Sequence, residues 1–180
     1  PSRGLREHLI EVGVAPARVA TIPPAISLRR LPFDRSRDEQ LAHQLGLGTG
    51  PVLGFFGTLA SDAGVDLLLR AMPALARGHP GIGLLLVGDG PEAPALRERA
   101  AELGVRAVFT GRIPSDAVGP YYALADLLVV PRLPGREAGL DAPVKPLEAM
   151  ARGAVVVASN VSGHRELIEH GSTGILFEAG

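Results

Sequence analysis

Six short, uninterrupted apolar runs constrain this chain more than any other feature. They are "VLGFFGT" (52–58), "IGLLLVG" (82–88), "AVFTG" (107–111), "DLLVVP" (126–131), "AVVVAS" (154–159) and "GILFE" (174–178). Each is too short for a buried helix and rich in Val, Ile, Leu and Phe, which suits strands covered on both faces of a parallel sheet. Helical patterns lie between them: "AGVDLLLRAMPALARG", "APALRERAAELG", "DAVGPYYALA", "VKPLEAMARG" and "SGHRELIEHG". Several of these run into a glycine, at Gly78, Gly104, Gly153 and Gly171, as helices do when they end on a left-handed residue. Strand and helix in alternation predict an α/β fold with helices on both faces of an open sheet. Right-handed crossovers narrow this to a Rossmann-like, doubly wound parallel sheet of about six strands.

The bulk numbers are compatible with that and remove other classes. A chain of 180 residues fits one domain, or one domain plus a fragment, and 46% hydrophobic residues suffice for a full core. A net charge of -1 supplies no field to recruit nucleic acid or an anionic membrane. The absence of cysteine excludes disulfides and thiolate metal sites. The first residues, "PSRGLREHLIEVG", lack the continuous apolar core of a signal peptide. No apolar run approaches the roughly 20 residues that span a bilayer.

Residues 1–50 break the rhythm. "LREHLIEVG" predicts a helix ending at Gly13, "ARVATIPP" a short strand stopped by prolines, and Asp38–Leu45 a short helix in an otherwise polar connector. The expected division is therefore residues 1–28 as the end of another domain or an interdomain segment, 29–50 as linker, and 51–180 as the Rossmann-like domain. The chain stops at "FEAG", directly after a strand, so both ends are expected to continue in a longer protein.

In open α/β sheets, ligands bind beyond the carboxyl ends of the strands. The loops there are rich in glycine: "GTLASDAG" (57–64), "GDGPE" (88–92), "GRIPSD" (111–116), "PRLPGREAGLDAP" (131–143) and "SNVSGH" (159–164). Glycine allows a backbone to approach a ligand closely, although strand ends in many α/β proteins are glycine-rich without binding anything. "GDGPEA" formally matches the dinucleotide fingerprint G-x-G-x-x-G/A. It follows the second strand of the domain rather than the first, and "VFTGR" offers Arg112 where an acid should hold a ribose. Both points weigh against a nicotinamide or flavin site.

The stretch "DAPVKPLEAMARG" carries more chemistry. Proline is tolerated in the first turn of a helix, so Pro143 and Pro146 put the helix start near Ala142–Pro143. The free N–H groups of Val144, Lys145 and Leu147 are expected at that end, which is partially positive, and Lys145 adds a full charge. Together they describe an anion site suited to phosphate. Glu148, about one turn after Lys145, is of no use to a phosphate but is able to accept hydrogen bonds from the vicinal hydroxyls of a ribose. The plainer alternative is that Glu148 stabilises the helix start and pairs with Lys145 or Arg152.

The blocks "GTLASDAGVDLLLRAMPAL", "LLLVGDGPEAPALRERAAELGV", "VFTGRIPSDAVGPYYALADLLVVP" and "PVKPLEAMARGAVVVASNVSGHRELIEHGSTGILFEAG" resemble, in order, the C-terminal half of the GT-B, family-4 (group 1) glycosyltransferases. The resemblance covers about residues 50–180. It implies one half of a GT-B fold that binds a nucleotide-sugar donor, UDP- or GDP-linked, as substrate. No cofactor or metal is implied, and transfer occurs with retention at the anomeric carbon to an acceptor held by an N-terminal domain. It implies Glu148 at the ribose hydroxyls, and Lys145 with the helix-start N–H groups of Val144 and Leu147 at the diphosphate. Arg112 and Ile113 of "GRIP" fall at the base, and Gly57, Thr58 and Gly88 on the loops facing the phosphates. Lys145, Glu137 and Asp141 are the catalytic candidates. By the same resemblance the protein is cytoplasmic, with any peripheral contact at the inner membrane face belonging to the full-length form.

This chain departs from the family at three places. Many members carry an arginine and a lysine for the diphosphate where Thr58 and Ala63 stand here, and an acid for the donor sugar where Leu140 stands. Glu137 or Asp141 are the acids near enough to replace the last, and Arg132 or Arg136 the cations near enough to restore charge. The departures leave a non-catalytic nucleotide-binding module as an alternative, beside a dinucleotide-dependent oxidoreductase domain. His164 and His170 are six apart, which is wrong for two metal ligands on one helix face. Ser162 is expected to cap its helix, and Tyr121 and Tyr122 to pack rather than stack on a base.

Overall fold

The computed structural model describes residues 2–28, 36–135 and 143–180. Among them, six parallel strands form one sheet in the order β3-β2-β1-β4-β5-β6. The strands are β1 (Val52–Phe56), β2 (Gly83–Val87), β3 (Ala107–Gly111), β4 (Leu127–Val130), β5 (Val155–Ser159) and β6 (Ile175–Phe177). All six match the apolar runs, each within the expected limits. The helices are α1 (Arg3–Glu11), α2 (Glu39–Gln44), α3 (Val65–Gly78), α4 (Ala93–Glu102), α5 (Gly119–Leu124), α6 (Val144–Ala151) and α7 (Ser162–Arg165).

Alternation along the central strands sorts side chains into two cores. Leu53, Phe55, Leu84 and Leu86 point to one face, where α3 and α4 cover them with Val65, Leu68, Leu69, Met72, Leu96 and Ala100. The apolar positions of α3 recur at three and four residues, so they form one stripe. Val52, Phe56, Leu85 and Val87 point to the other face, beneath Tyr122 and Leu124 of α5 and Ala149 of α6. Leu84, Leu85 and Leu86 are wholly inaccessible. Burying each such side chain contributes about 1.5–3 kcal/mol. The outermost strands, β3 and β6, are only partly covered. At the bottom of the sheet Asp126 joins β1 to β4: its carboxylate accepts the Val52 N–H at 2.8 Å, and its own N–H donates to the Val52 carbonyl at 2.9 Å.

Four local expectations are corrected. No strand forms at "ARVATIPP": Pro16–Arg18 is a single 3-10 turn, and residues 19–27 follow without a ladder partner among the described residues. Val19 is extended, but Pro23 and Pro24 have no N–H to donate. Gly78 is the last residue of α3 rather than a left-handed stop, and His79 caps it. The pattern 116–125 yields a helix only from Gly119, where Pro120 sits in the first turn. Val161, not Ser162, is the N-cap of α7, which is only 4 residues long.

A polar seam ties residues 2–28 to the main body. Ser2 caps α1 by accepting from the Leu5 N–H at 3.0 Å. The Arg3 N–H donates to both carboxylate oxygens of Glu166, at 2.8 and 3.0 Å.

His164 is an ionisable group sealed beside the sheet. It is wholly buried, and its Nδ1 lies 2.7 Å from the Ser159 carbonyl. A carbonyl only accepts, so Nδ1 carries the proton. Nε2 is buried with no partner among the described residues. Burial holds the imidazole below its ordinary value of 6.5; the bond to Ser159 opposes this, and the charge of Arg132 adds to it. The unfolded chain therefore binds a proton that the folded chain refuses, and stability is lost as pH falls below about 6.5. The expected result is a thermal midpoint that drops between about pH 7 and pH 5, with a shallower drop in His164→Asn. Equal slopes in the two proteins would remove His164 from the account.

Candidate functional site

The strand order reverses between β1 and β4, and the loops beyond the carboxyl ends of the strands open a cleft beside this switch point. Its volume is about 570 Å³. β1 and the loop after it supply Phe56, Gly57 and Thr58; β2 and its loop supply Val87, Gly88, Asp89 and Gly90; the chain beyond β3 supplies Arg112, Ile113 and Val118; and α6 supplies Lys145.

Backbone hydrogen bonds stitch these loops together. Gly57 N–H donates to Val87 at 3.0 Å, Gly88 N–H to Gly111 at 2.9 Å, and Leu59 N–H to Asp89 at 3.0 Å. The approach at Gly88 excludes a side chain, because a Cβ there would overlap the Gly57 carbonyl, and its φ of +140° is one that L side chains rarely adopt. At the end of β3 the register with β2 shifts between Leu86 and Val87, so that Val87 pairs with Gly111 and Thr110 is the extra residue. Such a bulge bends the strand. Here it is followed by Arg112 and Ile113 at the cleft wall.

The helix begins where the prolines predict, but the expected free N–H of Leu147 is corrected, because that residue lies past the open first turn. Pro143 is the N-cap of α6 and Val144 its first residue. Pro143 and Pro146 have no N–H, so Val144 and Lys145 hold the first-turn donors that have no partner among the described residues. Leu147 is the fourth helical residue, with its N–H in register with the Pro143 carbonyl, and neither it nor Val144 lines the cleft. Among the described residues the ionic lining is two cations, Arg112 and Lys145, against one acid, Asp89. The Oδ1 of Asp89 already accepts the Gly90 N–H at 2.8 Å.

Glu148 stands just behind this wall, with its side chain 20% exposed. Its Oε2 accepts from Lys145 Nζ at 2.9 Å and from the Tyr122 hydroxyl at 3.1 Å. Arg152 Nη1 donates to the Glu148 main-chain carbonyl at 3.3 Å. Tyr122 lies between two neighbours. Its ring stacks on Phe56 with centroids 3.9 Å apart and planes 6° apart, and the Arg152 guanidinium sits 4.7 Å from its centroid. Burial raises the phenol well above its ordinary range, helped by the Glu148 charge and hydrogen bond and opposed by Arg152. Tyr122 therefore remains a donor across the working pH range.

The sequence-predicted residues thus separate into three groups. Gly57, Thr58, Gly88, Arg112, Ile113 and Lys145 meet at one cleft, and Glu148 is joined to it through Lys145. Val144 and Leu147 belong to the helix start without lining the cleft. Glu137 and Asp141 lie outside the described residues, as do Arg136 and Leu140. Arg132 is held by Asp62 at 3.2 Å, beside the 3-10 turn Ser61–Ala63, and does not line the cleft. Among the described residues no group of three His, Asp or Glu is placed to hold a metal, and no helix is long and apolar enough to cross a membrane. The packing role expected for Tyr122 is seen, but its bond to Glu148 was not anticipated. No local sequence signal marks a contact between residues 26 apart on two different helices.

A doubly wound sheet with a polar, glycine-walled cleft at its switch point defines a ligand-binding domain of the Rossmann-like class. Residues 50–180 match the family described as glycosyl transferases group 1, and the chain belongs to that family. A GDP-mannose-dependent alpha-(1-6)-phosphatidylinositol monomannoside mannosyltransferase of Mycolicibacterium smegmatis is 33% identical over 182 residues, covering 98% of this chain and 47% of that protein. A D-inositol 3-phosphate glycosyltransferase of Nocardia farcinica is 34% identical over 181 residues, covering 94% of this chain and 38% of that protein. The crystal structure of Anabaena HepE in complex with UDP-glucose superposes with a TM-score of 0.85 at 27% identity, over 99% of this chain and 49% of that one. The chain spans about half the length of the curated relatives it matches.

The stitched loops make a stability prediction. Gly88→Ala is expected to cost at least about 2 kcal/mol in chemical denaturation. Gly119→Ala, where a Cβ meets nothing within 4 Å, should stay within about 0.5 kcal/mol of the parent. Similar losses at both sites would show that the loops do not depend on this close approach.

Proposed function

We propose that this chain is the donor-binding half of a glycosyltransferase, taking a nucleoside diphosphate sugar, UDP- or GDP-linked, as substrate. The observation that supports it best is the meeting of Gly57, Thr58, Gly88, Arg112, Ile113 and Lys145 at one cleft beside the α6 start. In this reading the diphosphate lies at Lys145 and the free N–H groups of Val144 and Lys145, with the Gly57–Thr58 and Gly88 backbones against it. The ribose hydroxyls meet Glu148, and the base meets the main chain of Arg112 and Ile113. The printed names of the relatives are in keeping with this, since one depends on GDP-mannose and one was crystallised with UDP-glucose.

The reaction breaks the bond between the anomeric carbon and a diphosphate oxygen and leaves negative charge on that oxygen. Fixed donors aimed at developing charge are among the largest catalytic contributions. Lys145 and the positive end of α6 are the groups here that would meet it. Retention at the anomeric carbon and independence of a divalent metal belong to the same proposal, and rest on the family resemblance. Glu137 and Asp141 remain the candidates to face the sugar, on sequence grounds alone. The acceptor would be held by a domain in the part of the relatives that this chain does not span. The chain alone would then bind donor weakly and transfer nothing. Any membrane contact of the cytoplasmic protein would come from that same part.

Calorimetric titration with UDP, GDP, ADP and NADH tests this reading. One nucleoside diphosphate should bind, and Glu148→Ala should weaken it at least about tenfold, as expected for the loss of a hydrogen bond to a charged acceptor at about 1.5–3 kcal/mol. Lys145→Ala should weaken the diphosphate by a similar factor and free nucleoside by much less. Binding of NADH alone would point to the oxidoreductase alternative instead.

A further inference from the structure

We propose that Tyr122 is a positioning residue for the carboxylate of Glu148: locked between Phe56 and Arg152, its hydroxyl shares Oε2 with Lys145 and leaves Oε1 uncommitted for a ribose diol. The proposal rests on the reading of Glu148 as the ribose ligand, and adds the group that aims it.

The geometry supports it in three steps. First, both intramolecular donors to the carboxylate go to the same oxygen, at 2.9 Å from Lys145 and 3.1 Å from Tyr122. No described residue donates to Oε1. Second, the two donors differ in firmness. The Lys145 side chain is 43% exposed and ends in a mobile ammonium that a phosphate would attract. Tyr122 is 2% exposed and is held on both faces of its ring, so its hydroxyl has little freedom to move. Third, the buried phenol keeps its proton and so stays a donor to the carboxylate. A glutamate on the fifth position of a helix has three rotatable bonds and would otherwise sample many orientations. A single rigid donor selects one of them before the ligand arrives, and preorganisation of this kind lowers the cost of binding.

A bare packing role predicts something different. If the ring alone mattered, Tyr122→Phe would leave ligand selectivity untouched. The test is calorimetric titration of the protein and of Tyr122→Phe with UDP and GDP, and with their 2′,3′-dideoxy counterparts, with thermal melts confirming that both proteins are folded. The parent should prefer the ribonucleotide by about tenfold or more. Tyr122→Phe should weaken the ribonucleotide about three- to tenfold and leave the dideoxy form unchanged, so that the ratio collapses. A parent that prefers ribose and a Tyr122→Phe variant with the same ratio would overturn this proposal while leaving Glu148 as the ribose ligand. A parent with no ribose preference would remove Glu148 from that role, and the proposal would fall with it.

Discussion

The burial of one parallel sheet on both faces is the constraint from which the rest of this domain follows. Parallel neighbours cannot be joined by hairpins, so each strand returns through a crossover, and those crossovers cover the two faces. The order β3-β2-β1-β4-β5-β6 is the outcome, with α3 and α4 on one face and α5 and α6 on the other. Beside the reversal, the loops after β1 and β2 and the chain beyond β3 form one wall of the cleft, and Lys145 at the start of α6 joins them. The cleft is thus a consequence of how the sheet is wound, and the residues at its rim decide what it holds.

Those residues act mainly through backbone. Gly57, Gly88 and Gly111 bring three strand ends to hydrogen-bonding distance, closer than any side chain at Gly88 would permit. The bulge at Thr110 then offsets the β3 exit by one residue. Into this frame the chain places few charges. Arg112 and Lys145 face the cleft with the α6 start, whereas Thr58 lines it as a neutral residue. Arg132 is committed to Asp62. On the proposed reading, a diphosphate would meet two side-chain cations among the described residues and one helix end, and backbone N–H groups would carry a correspondingly larger share of its recognition.

The fold was legible because its signal is local. Uninterrupted apolar runs such as "GLLLV" mark a buried strand whatever surrounds them. The expectation failed where a partner mattered: "ARVATIPP" has strand composition, but without a neighbour to pair with it remains an unpaired segment among the described residues. Most of the cleft was legible for a topological reason, since strand-end loops of a doubly wound sheet converge wherever the order reverses. Lys145 and Glu148 were legible as a pair because three residues on a helix bring side chains to one face. Tyr122 was not, because its meaning depends on how α5 and α6 pack over the same face of the sheet. Nothing in "PYYALA" says which tyrosine turns inward, nor that a carboxylate waits 26 residues later.

The two interpretations of Glu148, as a helix-stabilising partner of Lys145 and as a ligand for a diol, are not in competition. A partly exposed ion pair contributes at most about 1 kcal/mol. A charge-assisted bond from the same ammonium to a phosphate is worth more, about 1.5–3 kcal/mol. A ligand that drew Lys145 away would therefore give up little in breaking the pair. Glu148 would not be stranded, because Tyr122 still donates to Oε2 and Arg152 still holds the main-chain carbonyl. The Lys145–Glu148 pair keeps both charges partnered, and with Tyr122 bound to the same carboxylate a ligand that took Lys145 would leave Glu148 with a buried donor.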